Sequence, residues 1–170
     1  FKEWKTSFPL FLRTWTLQGM WVFLTSVSGV TAICSRVVLE PGVYFYVGCS
    51  LWTFGFLFES ISDYQKRKFK IKNPKDFISS GLWSLSRHPN YFGEIVLWIG
   101  ITIIAFPVLQ GYQLFSLISP LFVIWLLTKV SGIPLLEKHA DKTWGKKKEY
   151  KVYKDSTPAV SYTHLTLPTS

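Results

Sequence analysis

The sequence predicts an all-α integral membrane protein: a bundle of about four transmembrane helices with a polar loop and a polar C-terminal tail. Three observations predict it. Hydrophobic residues form 48% of the chain and are gathered into four long runs, at about residues 14–35, 43–58, 91–109 and 114–130. A span takes roughly 20 residues at about 1.5 Å each, so these runs are of membrane-crossing length. The net charge of +9 is concentrated in alternate connections. Finally, one short polar motif stands at the mouth of the third run.

In chain order, residues 1–13 are mixed, with Lys2, Lys5 and Arg13. The first run follows, with Trp15 and Trp21 suited to an interfacial position. Pro41-Gly42 turns the chain. The second run continues as a helix beyond Phe58 into a charged stretch that reaches Lys70, where Asn73-Pro74 breaks it. Ser79-Ser80-Gly81 marks a loop. Pro107 and Gly111 end the third run, and Pro120 predicts a kink in the fourth. Gly132 and Pro134 interrupt the chain before a polar, partly helical tail over residues 135–153. Cys34 and Cys49 have no metal-like spacing and are expected to be buried as small hydrophobes. No metal site is expected.

The loop over residues 63–90 carries Lys66, Arg67, Lys68, Lys70, Lys72, Lys75 and Arg87, and the tail carries Lys138, Lys142, Lys146, Lys147, Lys148, Lys151 and Lys154. The other two connections hold only Arg36 and Glu40. Four spans with both termini on the cytoplasmic side satisfy the positive-inside rule, and put loop and tail on one face. Basic residues set beside apolar runs imply a lipid bilayer as partner and argue against nucleic acid. They leave the oligomeric state open.

The motif is Ser86-Arg-His-Pro-Asn-Tyr-Phe-Gly-Glu94. Pro89 suits the first turn of a helix. Tyr91, Glu94 and Trp98 then share a helix face. Ionisable groups at membrane depth are costly and usually paired and functional, which singles out Glu94. Arg87 and His88 stand beside free backbone N–H groups at a helix start, an arrangement suited to a phosphate. Upstream, Glu59, Asp63, Lys66 or Arg67, and Lys70 recur at helical spacing as one charged stripe. Its cations can neutralise phosphates and Asp63 can accept from ribose or amide groups. The alternative reading is a solvated juxtamembrane helix drawn to anionic lipid.

These residues resemble the signature of a membrane superfamily that includes the steroid 5-alpha-reductase C-terminal domain, the sterol C14 and C7 reductases, and isoprenylcysteine carboxyl methyltransferase. The pattern runs from Trp15-Thr-Leu-Gln-Gly-Met-Trp21 through Asp63-Tyr-Gln-Lys-Arg-Lys-Phe-Lys70, Asn73-Pro74 and Gly81-Leu-Trp to the Arg-His-Pro motif. It ends in Trp144-Gly, Tyr150, Tyr153 and Thr157-Pro158. The chain is most like a family of integral membrane proteins with a steroid 5-alpha-reductase-like domain, over residues 1–159. The resemblance implies NADPH bound on the cytoplasmic side by Asp63, Lys66, Lys70, Arg87, His88, Asn90, Tyr91 and Glu94, under a tail carrying Tyr150 and Tyr153. It implies reduction of a C=C bond in a lipid-like or steroid-like hydrophobic substrate. In the steroid reductases the acid comes largely from the N-terminal half. The chain starts at Phe1, reads as N-terminally truncated, and offers no catalytic residue that can be named. An S-adenosylmethionine-dependent methyltransferase is the alternative, with Glu137, Tyr150 and Tyr153 fitting loosely; a non-enzymatic lipid-binding protein is the third. Residues 160–170 resemble translated read-through of a transposase sequencing adapter and are set aside, His164 with them.

Overall fold

In the computed structural model, which describes residues 8–38, 40–130 and 132–160, the chain is helical, with no strand among the described residues. Among the described residues six α-helices follow one another: α1 (Phe8–Ile33), α2 (Val43–Lys72), α3 (Pro89–Ala105), α4 (Ile118–Trp125), α5 (Ile133–Trp144) and α6 (Lys148–Ser156). Short 3-10 turns at Gly81–Ser84, Phe106–Val108 and Gly111–Leu117 join them, and a π-helical turn at Leu126–Val130 extends α4. The adapter-like residues lie outside the described residues, save Val160.

Among the described residues, three stretches are long and apolar enough to cross a membrane: Phe8–Ile33, Pro89–Val108 and Gly111–Trp144. The second expected span, the start of α2, is not among them. Its length is ample, but Tyr44, Tyr46, Gly48, Ser50, Trp52, Thr53 and Gly55 dilute its hydropathy. The exterior carries the larger apolar side chains. Val22 is 61% exposed, Phe23 59% and Phe115 76%, whereas Ser28, Gly48, Gly55, Ser62, Gly93, Gly100 and Ser119 are buried. Small residues inside and large apolar residues outside are what a lipid-embedded bundle requires.

Glycines set the closest approach. α2 and α3 run antiparallel, and Gly48 and Gly55 face Gly100 and Gly93. A Cβ on Gly55 would stand 2.6 Å from the Gly93 carbonyl and 2.6 Å from the Leu97 amide. One on Gly93 would stand 2.7 Å from the Glu59 amide, and one on Gly100 2.7 Å from the Trp52 amide. Here the backbones themselves are in contact. α1 packs on α3 and α4, with Ser28 Oγ 3.2 Å from Thr102 Oγ1 and the Ser119 hydroxyl donating to the Thr25 carbonyl.

The helix ends follow the sequence. α2 stops at Lys72, where the Asn73 amide donates to the Phe69 carbonyl and Pro74 cannot continue. Pro89 occupies the first turn of α3. Two expectations are corrected. Pro120 does not kink a continuous helix; it sits in the first turn of α4, just where a 3-10 segment gives way to α-helix and the missing N–H costs little. Cys34 is exposed and Cys49 only half-buried. Cys34 lies just past the end of α1, and Cys49 follows Gly48 of the glycine seam in sequence.

At one end of the bundle the Ser35 hydroxyl donates to the Val108 carbonyl at 3.0 Å, joining the two weakly charged connections. The basic loop and the tail therefore share the other end.

Candidate functional site

A cavity of about 260 Å³ opens at this basic end. The end of α2 supplies Lys66 and Lys70, and the loop supplies Phe77, Ile78 and Trp83. The mouth of α3 supplies Arg87 and His88, α5 supplies Glu137, His139 and Trp144, and α6 supplies Tyr150 and Tyr153.

The loop holds its shape through side chains bonded to backbone. Gly81 has φ of 64°, a conformation glycine adopts without strain, and the next amide, Leu82, donates to Gln65 Oε1 at 2.9 Å. Trp83 is 4% exposed and its indole N–H donates to the Ser62 carbonyl at 3.0 Å. Lys66 Nζ lies over the Trp83 ring, 4.9 Å from its centroid. Burial pulls the Lys66 pKa down, an effect partly countered by the Asp63 carboxylate. Lys70 Nζ donates to the Asp76 carbonyl at 2.5 Å and lies 4.6 Å from the Trp144 centroid. The Trp144 indole N–H reaches the Lys75 carbonyl at 2.9 Å.

Phe77 is the hub of an aromatic wall, its ring centroid 5.3 Å from Tyr150, 5.6 Å from Tyr153 and 6.1 Å from Trp144. The Tyr153 hydroxyl donates to the Trp83 carbonyl at 2.5 Å. Burial raises the Tyr153 pKa. Burial, with Glu137 and Asp141 nearby, pushes Tyr150 up to about 12.

Arg87 ties three segments together. Its Nε donates to Glu137 Oε1 at 3.0 Å, and its Nη1 to the carbonyls of Lys154 and Thr157 at 2.6 and 2.5 Å. His88 Nε2 lies 2.8 Å from the same carboxylate oxygen, and Lys154 Nζ 3.6 Å from Glu137 Oε2. The amides of Arg87 and His88 donate to the carbonyls of Pro158 and Ala159 at 2.9 and 3.0 Å. The two amides just before the start of α3 are thus taken by the chain's own tail. Arg87 Nη2 has no hydrogen-bond partner among the described residues.

A family model described as "Protein of unknown function (DUF1295)" matches residues 1–157. The chain belongs to the DUF1295 family. The match takes in every residue that lines the cavity. No curated protein and no solved structure matches this DUF1295 member.

Of the ten residues expected to hold a cofactor, the DUF1295 fold gathers Lys66, Lys70, Arg87, His88, Tyr150 and Tyr153 around one cavity. Asp63, Asn90, Tyr91 and Glu94 do not line it. Asp63 is exposed on α2. Tyr91 stacks with His88 at 5.7 Å and packs against Gly132, where a Cβ would meet its ring at 3.0 Å. The Asn90 side-chain oxygen is buried with no partner among the described residues. Sequence reasoning missed Phe77 and His139. Trp83 packs, and it also walls the cavity.

Proposed function

We propose that this protein is a membrane-embedded, NADPH-dependent reductase of a C=C bond in a lipid-like substrate, related to the steroid 5-alpha-reductases, and that the basic-end cavity is the cofactor half of its site. The observation that carries the reading is the convergence of Lys66, Lys70 and Arg87 on one cavity walled by Phe77, Trp83, Trp144, Tyr150 and Tyr153. Cations beside aromatic faces suit a ligand that combines phosphates with flat rings.

The residues fit such a cofactor in chemistry. Lys66 and Lys70 would neutralise phosphate oxygens, with Arg87 Nη2 adding a donor. Phe77 and the two tyrosines would flank a ring, and the tail docked on Ser86–His88 would exclude water. A volume of about 260 Å³ takes only part of a dinucleotide, since small-molecule pockets run to roughly 300–1,000 Å³. The whole molecule would extend past the cavity or displace the tail. When bound, NADPH supplies a hydride to an electron-poor carbon. Four spans, with α2 as the fourth, would place loop, tail and cavity on the cytoplasmic face, where a soluble cofactor arrives.

One observation favours a second reading, a methyltransferase using S-adenosylmethionine. Glu137 joins Tyr150 and Tyr153 at the cavity, and a carboxylate with aromatic rings suits a sulfonium. Arg87, His88 and Lys154 already surround that carboxylate, so the cavity stays cationic on balance and disfavours a positive ligand.

Titration of the detergent-solubilised protein with each cofactor separates the readings. NADPH should bind, and Lys66→Gln should weaken it roughly 10- to 150-fold, the loss of a charged hydrogen bond worth about 1.5–3 kcal/mol. Binding of S-adenosylmethionine without NADPH would install the second reading. Binding of neither would leave a lipid-binding scaffold.

A further inference from the structure

The part of α2 beyond the membrane has two basic faces, and only one serves the cavity. Gly93 meets Glu59, so α3 begins at about the level of Asp63. From there to Lys72, α2 continues for about 14 Å at 1.5 Å per residue. Lys66 and Lys70 are half-buried and turned toward Trp83 and Trp144. Arg67, Lys68 and Lys72 are exposed and make no ion pair among the described residues. Between them on the outer face stand Tyr64, 62% exposed, and Ile71, 75% exposed. Lys68 Nζ lies 5.8 Å from the Tyr64 centroid. Tyr64, Lys68, Ile71 and Lys72 follow helical spacing, so they form one stripe opposite Lys66 and Lys70.

We propose that this outer stripe is a binding face for anionic phospholipid headgroups. A cluster of cations directly beyond a membrane helix sits within reach of the surface potential of anionic lipid. Tyr64 adds an amphipathic ring of the kind that settles at headgroup level. Charge complementarity selects the lipid. The outer face of this segment carries three unpaired cations, while Asp63 and Glu59 lie toward its membrane end. The proposal is independent of the cavity's cofactor, because the two faces share no side chain. Its consequence is that lipid charge holds the helix that presents Lys66 and Lys70.

The test uses the whole protein reconstituted in phosphatidylcholine bilayers with spin-labelled phosphatidylserine or spin-labelled phosphatidylcholine as probe. The motionally restricted fraction measures relative association. Phosphatidylserine should be preferred several-fold, with each single substitution removing part of that preference. The triple variant Arg67→Gln, Lys68→Gln, Lys72→Gln should bring the ratio close to one while the helical circular dichroism stays unchanged. High salt should do the same to the wild type. Inorganic phosphate at matched ionic strength should have no additional effect. An equal preference in wild type and variant overturns the proposal, as does specific competition by inorganic phosphate, which would make the stripe a soluble-anion site. A variant that loses helicity is replaced by the three single substitutions, each read for the same ratio.

Discussion

The seam between α2 and α3 and the cap around the cavity are held together by opposite means. In the seam side chains are absent: Gly48, Gly55, Gly93 and Gly100 let backbone lie on backbone. In the cap side chains do the holding. Every ion pair among the described residues involves Asp76, Arg87, His88, Glu137, Asp141, Lys147 or Lys154, and the cation–π contacts of Lys66 with Trp83 and Lys70 with Trp144 lie there too. The difference is the one that a membrane setting for the apolar helices would produce. Lipid gives helices no hydrophobic reason to associate, so close van der Waals approach must serve. At the aqueous end charges are affordable to solvate, and long side chains can cross-link segments far apart in sequence.

The largest effect should come from breaking the seam. Gly93→Leu places a side chain where a Cβ alone is already 2.7 Å from two backbone atoms of α2, and should abolish the folded state in detergent. Gly93→Ala should lower stability by about 1–3 kcal/mol, the usual range for overpacking. Thermal melting followed by circular dichroism checks both; a Leu variant that melts like wild type would mean that the helices are not in contact there.

An intermediate effect should come from the cap. Glu137→Ala leaves Arg87 and His88 without their shared acceptor and should cost about 1–3 kcal/mol. The loss should be local. Proteolysis between α5 and α6 should quicken while the bundle keeps its helicity. Equal loosening of both regions would show that seam and cap are one cooperative unit.

The smallest effect concerns pH. Tyr150 is raised in the folded state from its ordinary value of 10.0 to about 12, so the stability it contributes is fully present below pH 10 and is lost as pH rises through 12. Cap protection against proteolysis should therefore fall across that alkaline interval. Tyr150→Phe, which also loses the 3.3 Å bond to Asp141, should flatten the fall. An unchanged profile in Tyr150→Phe would assign the alkaline loss to other groups.

The cap was partly legible in the sequence because its cations recur at helical spacing and its motif has a fixed order. Lys66, Lys70, Arg87 and His88 could be named for that reason. Phe77 could not, since it sits in a loop without periodicity and meets Tyr150 across 73 residues. Glu94 and Tyr91 share a face with each other, but spacing alone cannot say what that face meets; Tyr91 meets Gly132. The seam was legible as helix length and direction but not as contact, because a glycine in an apolar run looks like dilution until its partner is known. The same dilution hid α2 from the hydropathy criterion.

The glycine seam also acts as a gauge. Its two contact points are seven residues apart on each helix, Gly48 with Gly55 and Gly93 with Gly100, so α2 and α3 seat at matched notches. A shift by a turn would drive Cβ-bearing residues into backbone at both notches at once. The next alignment that spares one notch lies a full seven residues away, about 10 Å along the axis. Such a slip would carry Lys66 and Lys70 well clear of Arg87 and His88. The spacing of four atoms' worth of missing side chain, deep in the bundle, thereby sets the height at which two cations on one helix meet the mouth of another.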